Sequence, residues 1–179
     1  NMGMVMQAQN KFEKALEYFE AAYEIRKQIF GLNHPQLAIS LNEIGTNYFL
    51  SGEIEKSLDI YQEAFSCLSN IFFSESHYSY PQLTNVNSKL LYLDIIQKQI
   101  ESLILQAETS TNEMENIQNL QAAMEGCKIA INIINEIRNS YLFSQSKFIL
   151  SESIENVFNL GVNTAFSLYQ ITKDDKYKE

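Results

Sequence analysis

Seven positions of this chain recur at one spacing. Gly3, Met6, Asn10, Phe12, Ala15, Phe19 and Ala22 return as Gly45, Tyr48, Gly52, Ile54, Ser57, Tyr61 and Ala64, each pair 42 residues apart. A fixed period of that length marks repetition of one supersecondary unit, which cannot bury its apolar face alone and has to stack on a neighbour. The residue types say what the unit is. A small residue at Gly3 and Gly45 lets two helices approach closely, and a larger one three places on, Met6 or Tyr48, fills the adjoining space. Phe19 or Tyr61 is placed to plug between helices that cross at Ala15 or Ser57 and at Ala22 or Ala64. The pattern dictates packing and carries no chemistry.

The rest of the chain agrees with an all-helical reading. Six Gly and two Pro in 179 residues supply too few turns for many short strands, and 45% apolar residues suffice for a buried core. Helices are expected over 1–8 and 11–30, where Gly31 takes a left-handed cap. Pro35 pre-sets the first turn of a helix over 36–51, Gly52 makes the hairpin turn, and 53–72 is its partner. After an irregular stretch over 74–80 and Pro81, the residues Leu83, Val86, Leu90, Leu93, Ile96, Ile100, Leu103 and Ala107 predict one helix over 82–107. Asn112 is the expected cap of the next helix, with Glu115 three residues on. Its stripe is Ile117, Leu120, Met124, Cys127, Ile131 and Ile134, widened by Ala123, Ala130, Ile133 and Ile137. The last helix, 144–172, carries Ile154, Val157, Phe158, Gly161, Ala165, Leu168 and Tyr169. Gly161 in its middle costs about 1 kcal/mol against Ala, which a close helix crossing would offset. The expected fold is all-α, a right-handed solenoid of antiparallel helix hairpins, with repeats over 1–72 and a long-helix region over 73–179. Asn1 falls inside a helical pattern and 174–179 reads as the opening turn of another helix, so both ends read as cuts within a longer protein.

Charge and composition remove several function classes. A net charge of −9 repels polyanions, which argues against nucleic acid as a partner. Cys67 and Cys127 are sixty residues apart, with no CxxC and no clustered His. They suggest neither a disulfide framework nor a zinc site, and fit a reducing cytoplasm. No apolar run reaches the roughly 18 to 20 residues that span a bilayer, so no membrane insertion is expected. His34 reads as a connector residue packing on helix ends, and His77 as a solvated loop side chain without a role. Cys127 lies on the apolar stripe, where a neutral thiol behaves as a small hydrophobe. The acidic pairs Glu53 with Glu55 and Asp174 with Asp175 read as first-turn charges favoured by the helix dipole. With no nucleophile and base pair, metal cluster or phosphate loop, no catalytic residue, metal or cofactor is expected.

A binding role is better grounded, because stacked hairpins expose the first helix of each pair on a concave face. The free side of the helix over 36–51 carries Asn42, Thr46, Phe49 and Leu50, with Met4 and Gln7 one repeat earlier. These are the candidate groove for a protein or peptide ligand. The competing reading for Phe49 and Leu50 is contact with an adjoining helix of the same protein.

The recurring series over 1–72 resembles the tetratricopeptide consensus. Its 42-residue period and the connector Phe30-Gly31-Leu32-Asn33-His34-Pro35, followed by 38–45, resemble the long subclass found in kinesin light chains and many bacterial proteins. That resemblance implies that Asn42 holds a ligand backbone. It also implies no carboxylate clamp of Lys and Asn, since Thr46 and Asn42 stand at the corresponding positions, which argues against a chaperone-tail ligand. A second set of residues is similar to the helical region of bacterial TPR-CHAT proteins: Tyr80-Pro81, Leu90-Leu91, Ile95, 131–137, Arg138-Asn139-Ser140-Tyr141, Ser146-Lys147 and 168–174. This resemblance implies a sensor or linker arm ahead of a caspase-like peptidase domain whose His and Cys would lie beyond Glu179. The alternative is a free-standing peptide-binding adaptor with further repeats and no protease.

Overall fold

The computed structural model describes residues 1–69, 76–82, 84, 86, 88–140 and 145–177, and its regular structure there is helical throughout. The helices are α1 (Met2–Ala8), α2 (Phe12–Phe30), α3 (Pro35–Ser51), α4 (Ile54–Leu68), α5 (Lys89–Thr109), α6 (Glu113–Ser140) and α7 (Gln145–Thr172), followed by a single 3-10 turn at Asp175–Tyr177. The chain divides into two compact units, Asn1–Ile95 and Ile96–Glu179, with the division inside α5.

In the first unit the 42-residue period is written into the backbone. Lys11 N–H donates to the Met6 carbonyl at 2.9 Å and Glu53 N–H to the Tyr48 carbonyl at the same distance. The turns between α1 and α2 and between α3 and α4 need a positive φ, which Asn10 (57°) and Gly52 (86°) supply at equivalent places. A Cβ added at Gly3 would stand 2.5 Å from the Phe19 ring, and one at Gly45 2.6 Å from the Tyr61 ring. The aromatic plug of each hairpin therefore occupies the space that its glycine vacates, where the residue pattern had put Met6 or Tyr48. Ala15, Phe19, Ser57, Tyr61 and Ala64 are all buried, and Ala15 and Phe19 form a cluster with Ile44 of the next hairpin.

The connector between hairpins is capped from its own sequence. His34 Nδ1 accepts from Gln36 N–H at 3.2 Å, and its ring stacks on Phe30 with centroids 4.6 Å apart. Pro35 occupies the first helical position, where a missing N–H costs nothing. Gly31 has a positive φ of 76° but ψ of −176°. It leaves the helix in an extended, glycine-only conformation rather than the left-handed cap expected. After Leu68, Ser69 is extended (φ −137°, ψ 113°), so α4 ends short of residue 72; 70–72 lie outside the described residues.

The segment beyond α4 is held by named contacts. Gln62 Nε2 donates to the Ser79 carbonyl at 3.1 Å, and the Tyr92 hydroxyl to the Pro81 carbonyl at 2.9 Å. The Tyr92 ring meets Phe65 edge-on at 5.2 Å. His77 is partly buried, with Nε2 2.7 Å from Asp59 Oδ1, so it is not the solvated side chain its loop position suggested. The helix expected over 82–107 begins only at Lys89. Val86 precedes it and Leu83 lies outside the described residues. Ser88 stands at the start of α5, its carbonyl accepting the first-turn bond from Tyr92 N–H at 2.9 Å.

The second unit is built from longer helices and smaller residues. Ala107 of α5, Leu120 of α6 and Leu168 of α7 form one buried cluster, and α6 buries Ala123, Cys127, Ala130, Ile133, Ile134 and Ile137. Asn112 caps α6, its Oδ1 accepting from Met114 N–H at 3.1 Å and Glu115 N–H at 3.4 Å. The expected reciprocal bond from Glu115 is relayed: Ser110 Oγ accepts from Asn112 N–H at 3.2 Å and donates to Glu115 Oε2 at 3.1 Å. Two stripe assignments fail, since Ile131 is 37% and Phe158 61% exposed. Thr164, a polar residue left out of the stripe, is fully buried instead, its hydroxyl bonded to the Leu160 carbonyl at 2.7 Å. Such back-bonding lets a threonine enter a helix interface.

Two terminal expectations change. Asn1 is the N-cap of α1, its Oδ1 accepting from Gly3 N–H at 3.2 Å, and not a helix-interior residue. After α7, Lys173 has φ of 55° and a 3-10 turn follows in place of a helical first turn; 178–179 lie outside the described residues.

Candidate functional site

The six groove candidates lie on α1 and α3, the first helices of the two hairpins, and they differ in how free they are. Met4 is 57% and Leu50 50% exposed, while Phe49 is half-buried. Gln7 Nε2 donates to Asn47 Oδ1 at 3.4 Å, which ties α1 to α3. Thr46 Oγ1 lies 3.4 Å from the hydroxyl of the buried Tyr61, so it belongs partly to the packing of its own hairpin. Asn42 Nδ2 donates to Asp94 Oδ2 at 2.6 Å, and Asn42 Oδ1 is buried with no hydrogen-bond partner.

Sequence reasoning missed Asp94, which is separated from Asn42 by 52 residues and whose pairing no local pattern announces. It also missed the polar crossings between hairpins. Asn1 Nδ2 donates to Glu43 Oε1 at 2.8 Å, Arg26 Nη1 bonds Ser40 Oγ and lies 3.4 Å from Glu43 Oε2, and the Tyr23 hydroxyl donates to Glu63 Oε1 at 3.3 Å. Burial first, and then the Glu63 carboxylate, push the Tyr23 phenol up to about 12.

The second unit holds a surface that the stripe analysis passed over. An open cleft of about 680 Å³ lies between α6 and α7, with Met124, Cys127 and Ile131 on one wall and Phe158, Gly161 and Val162 on the other. The i, i+4 pair Phe158 and Val162, each 61% exposed, was its sequence signal.

Neither thiol is set up as a nucleophile. Burial raises Cys127 to about 12, and burial followed by the Glu63 carboxylate raises Cys67 to about 11. Both are therefore neutral near pH 7, whereas nucleophilic cysteines carry a depressed pKa. Among the described residues no group of three or more His, Cys, Asp or Glu is arranged to hold a metal ion, and no helix is long and apolar enough to cross a membrane.

A family model described as tetratricopeptide repeat matches residues 1–70. A search of the curated proteins finds no match. The stacked hairpins and the matched model agree on the same residues: α1 to α4 form a tetratricopeptide repeat region, a protein-interaction scaffold within an all-α helical repeat fold.

Proposed function

We propose that this chain is a non-catalytic interaction and regulatory scaffold whose ligand is a protein or peptide lying along α1 and α3. The observation that carries the reading is the pair of exposed apolar side chains Met4 and Leu50 on the first helices of successive hairpins, beside the half-buried Phe49. Single exposed hydrophobes are common on any surface. A set aligned along one face of stacked first helices has the form of a groove that takes an extended or helical peptide. Asn42 supplies the polar contact, its Nδ2 donating to an acceptor of the ligand in place of Asp94. The test is a peptide array probed with the full chain, followed by titration of the best binder. Leu50→Asp and Asn42→Ala should each weaken it at least tenfold, and a binder indifferent to both changes removes the groove from the account.

The likeness of 131–141 and 168–174 to the region ahead of CHAT domains supports a more specific assignment. In it the chain is the sensor or linker arm of a bacterial, cytoplasmic, caspase-like peptidase protein, with the long-helix region over 73–179 leading toward the protease. Tyr141 and the side chains at 146 and 147 lie outside the described residues. The parent coding sequence decides it. A downstream domain with a paired His and Cys upholds the assignment, and further 42-residue repeats in its place leave a free-standing adaptor.

A further inference from the structure

α2 and α4 carry the same stripe of positions one period apart, covered on one helix and open on the other. On α4 the stripe is Asp59, Gln62 and Phe65, and the corresponding residues of α2 are Glu17, Glu20 and Tyr23. Gln62 is 5% exposed and Phe65 fully buried, whereas Glu17 and Glu20 are exposed and Tyr23 is half-buried. What covers the α4 stripe is a short non-helical run of the chain itself. His77 Nε2 lies 2.7 Å from Asp59 Oδ1, Gln62 Nε2 donates to the Ser79 carbonyl at 3.1 Å, and the Tyr80 ring meets Phe65 edge-on at 6.1 Å. The protein thus shows once how a peptide segment seats on this stripe.

The open copy differs in chemistry as well as in cover. Beside it lies a cleft of about 330 Å³ between α2, α3 and α4, with the buried Leu41 and Ile44 as its floor and Tyr23 as a wall. Glu20, Glu24 and Glu63 stand around it. Glu24 has Lys27 at 3.8 Å, while Glu20 and Glu63 have no ion pair among the described residues. The rings here already attract cations: Lys27 Nζ is 5.4 Å from the centre of the Tyr23 ring, and Lys56 Nζ the same distance from that of Tyr48. Gln62 holds its segment by donating to a carbonyl. A carboxylate at that place, Glu20, can only accept, so its occupant has to present a donor.

We infer that the cleft between α2 and α4 binds a short non-helical peptide segment carrying an arginine, whose guanidinium reaches Glu20 and Glu63 while its stem lies over Ile44 and the Tyr23 ring. A planar guanidinium pairs with carboxylates through parallel N–H bonds and stacks on an aromatic face, whereas an ammonium offers only a point charge. The surface is separate from the groove along α1 and α3, which uses Asn42, Thr46 and Leu50 of α3 rather than Leu41 and Ile44. The inference therefore stands whether or not that groove binds a ligand.

The probe is an end-blocked peptide of alternating glycine and arginine, titrated into the full chain while backbone amide shifts are followed by NMR. The expected result is that the shifts gather in α2 and α4, around Glu20, Tyr23 and Glu63, and that the same peptide with lysine for arginine binds at least threefold more weakly. Glu20→Gln combined with Glu63→Gln should weaken the arginine peptide at least tenfold. The amide at position 63 still accepts from the Tyr23 hydroxyl, so the fold has no reason to change. Glu125→Gln combined with Glu155→Gln removes the same net charge from the second unit and should leave affinity within twofold. The proposal is overturned if the two charge variants weaken binding equally, since attraction would then come from net charge alone. It also fails if the lysine peptide binds as tightly, if the shifts gather at Asn42 and Leu50 instead, or if no localised shifts arise.

Discussion

At Gly45 an added Cβ would stand 2.6 Å from the Tyr61 ring, whereas at Gly161 it would stand 3.8 Å from Cys127 Cβ. Both glycines lie inside helices, at contacts with a neighbouring helix, and the sequence presents them alike. In the first unit the glycine is one half of a fitted pair whose other half is a large aromatic. In the second it faces a small side chain across an ordinary van der Waals distance, beside an open cleft. Gly45 is bound to its partner by volume, and Gly161 is not.

The largest effect should come from breaking the fitted pair on its aromatic side. Tyr61 is fully buried, and Tyr61→Ala should cost the first unit about 4 kcal/mol through lost burial and the cavity left behind, measured by denaturant unfolding. Gly45→Ala attacks the same contact from the other side and should cost about 2 kcal/mol by overpacking, despite the better helix propensity of Ala. The double variant should lose less than the sum, because removing the ring makes room for the methyl. Strict additivity would show that the two positions are not a pair.

The residues that make those contacts were legible in the sequence because the repeat states them twice, but not their pairing: the space beside Gly45 was assigned to Tyr48, and the Tyr61 ring fills it. The second unit has no such internal copy. There the three-and-four periodicity placed α6 and α7 well, yet it assigned Phe158 and Ile131 to the core and omitted Thr164. A 3.6-residue period locates a stripe without saying how wide the neighbouring helix covers it. The groove was readable only in part. The exposure of Met4 and Leu50 follows from helix phase, while the Asn42 to Asp94 bond depends on a contact 52 residues away, which no local pattern encodes.

The thiols sharpen the comparison, with one in each unit. For both, the folded-state pKa lies above the ordinary 9.0, Cys67 at about 11 and Cys127 at about 12. The folded protein therefore holds these protons more tightly than the unfolded chain does. Stability is fully present below pH 9 and falls as pH rises, through about 11 for the first unit and about 12 for the second. The slope approaches about 1 kcal/mol per pH unit for each thiol. Cys127→Ala should flatten that loss in the second unit and leave the Cys67 share, as read from denaturant midpoints between pH 8 and 11. An unchanged slope would mean that the thiol is hydrated when folded.

The start of α6 gives a smaller effect that belongs to the second unit alone. Asn112→Ala removes the acceptor for two first-turn N–H groups and should cost about 1 kcal/mol. Asn112→Asp should retain most of that stability, since a carboxylate accepts the same bonds. An equal loss in both variants would show that the cap is not what holds the first turn.

The smallest expected effect reverses sign between the units. Gly161→Ala places a methyl 3.8 Å from Cys127 Cβ and 3.9 Å from its sulfur, distances at which dispersion is attractive and nothing has to move. Glycine in a helix interior is worth roughly 0.5–1 kcal/mol less than Ala because the unfolded chain loses more freedom on folding. The substitution should therefore raise the stability of the second unit by about that amount, where the same change at Gly45 lowers that of the first. Gly161→Leu extends the test, because a larger side chain has the cleft beside Phe158 and Val162 to enter. It should be tolerated at Gly161, whereas Gly45→Leu should prevent the first unit from folding. Destabilisation by Gly161→Ala would mean that α6 and α7 approach more closely than 3.8 Å, and the second unit would then rest on a fitted glycine like those of the repeats.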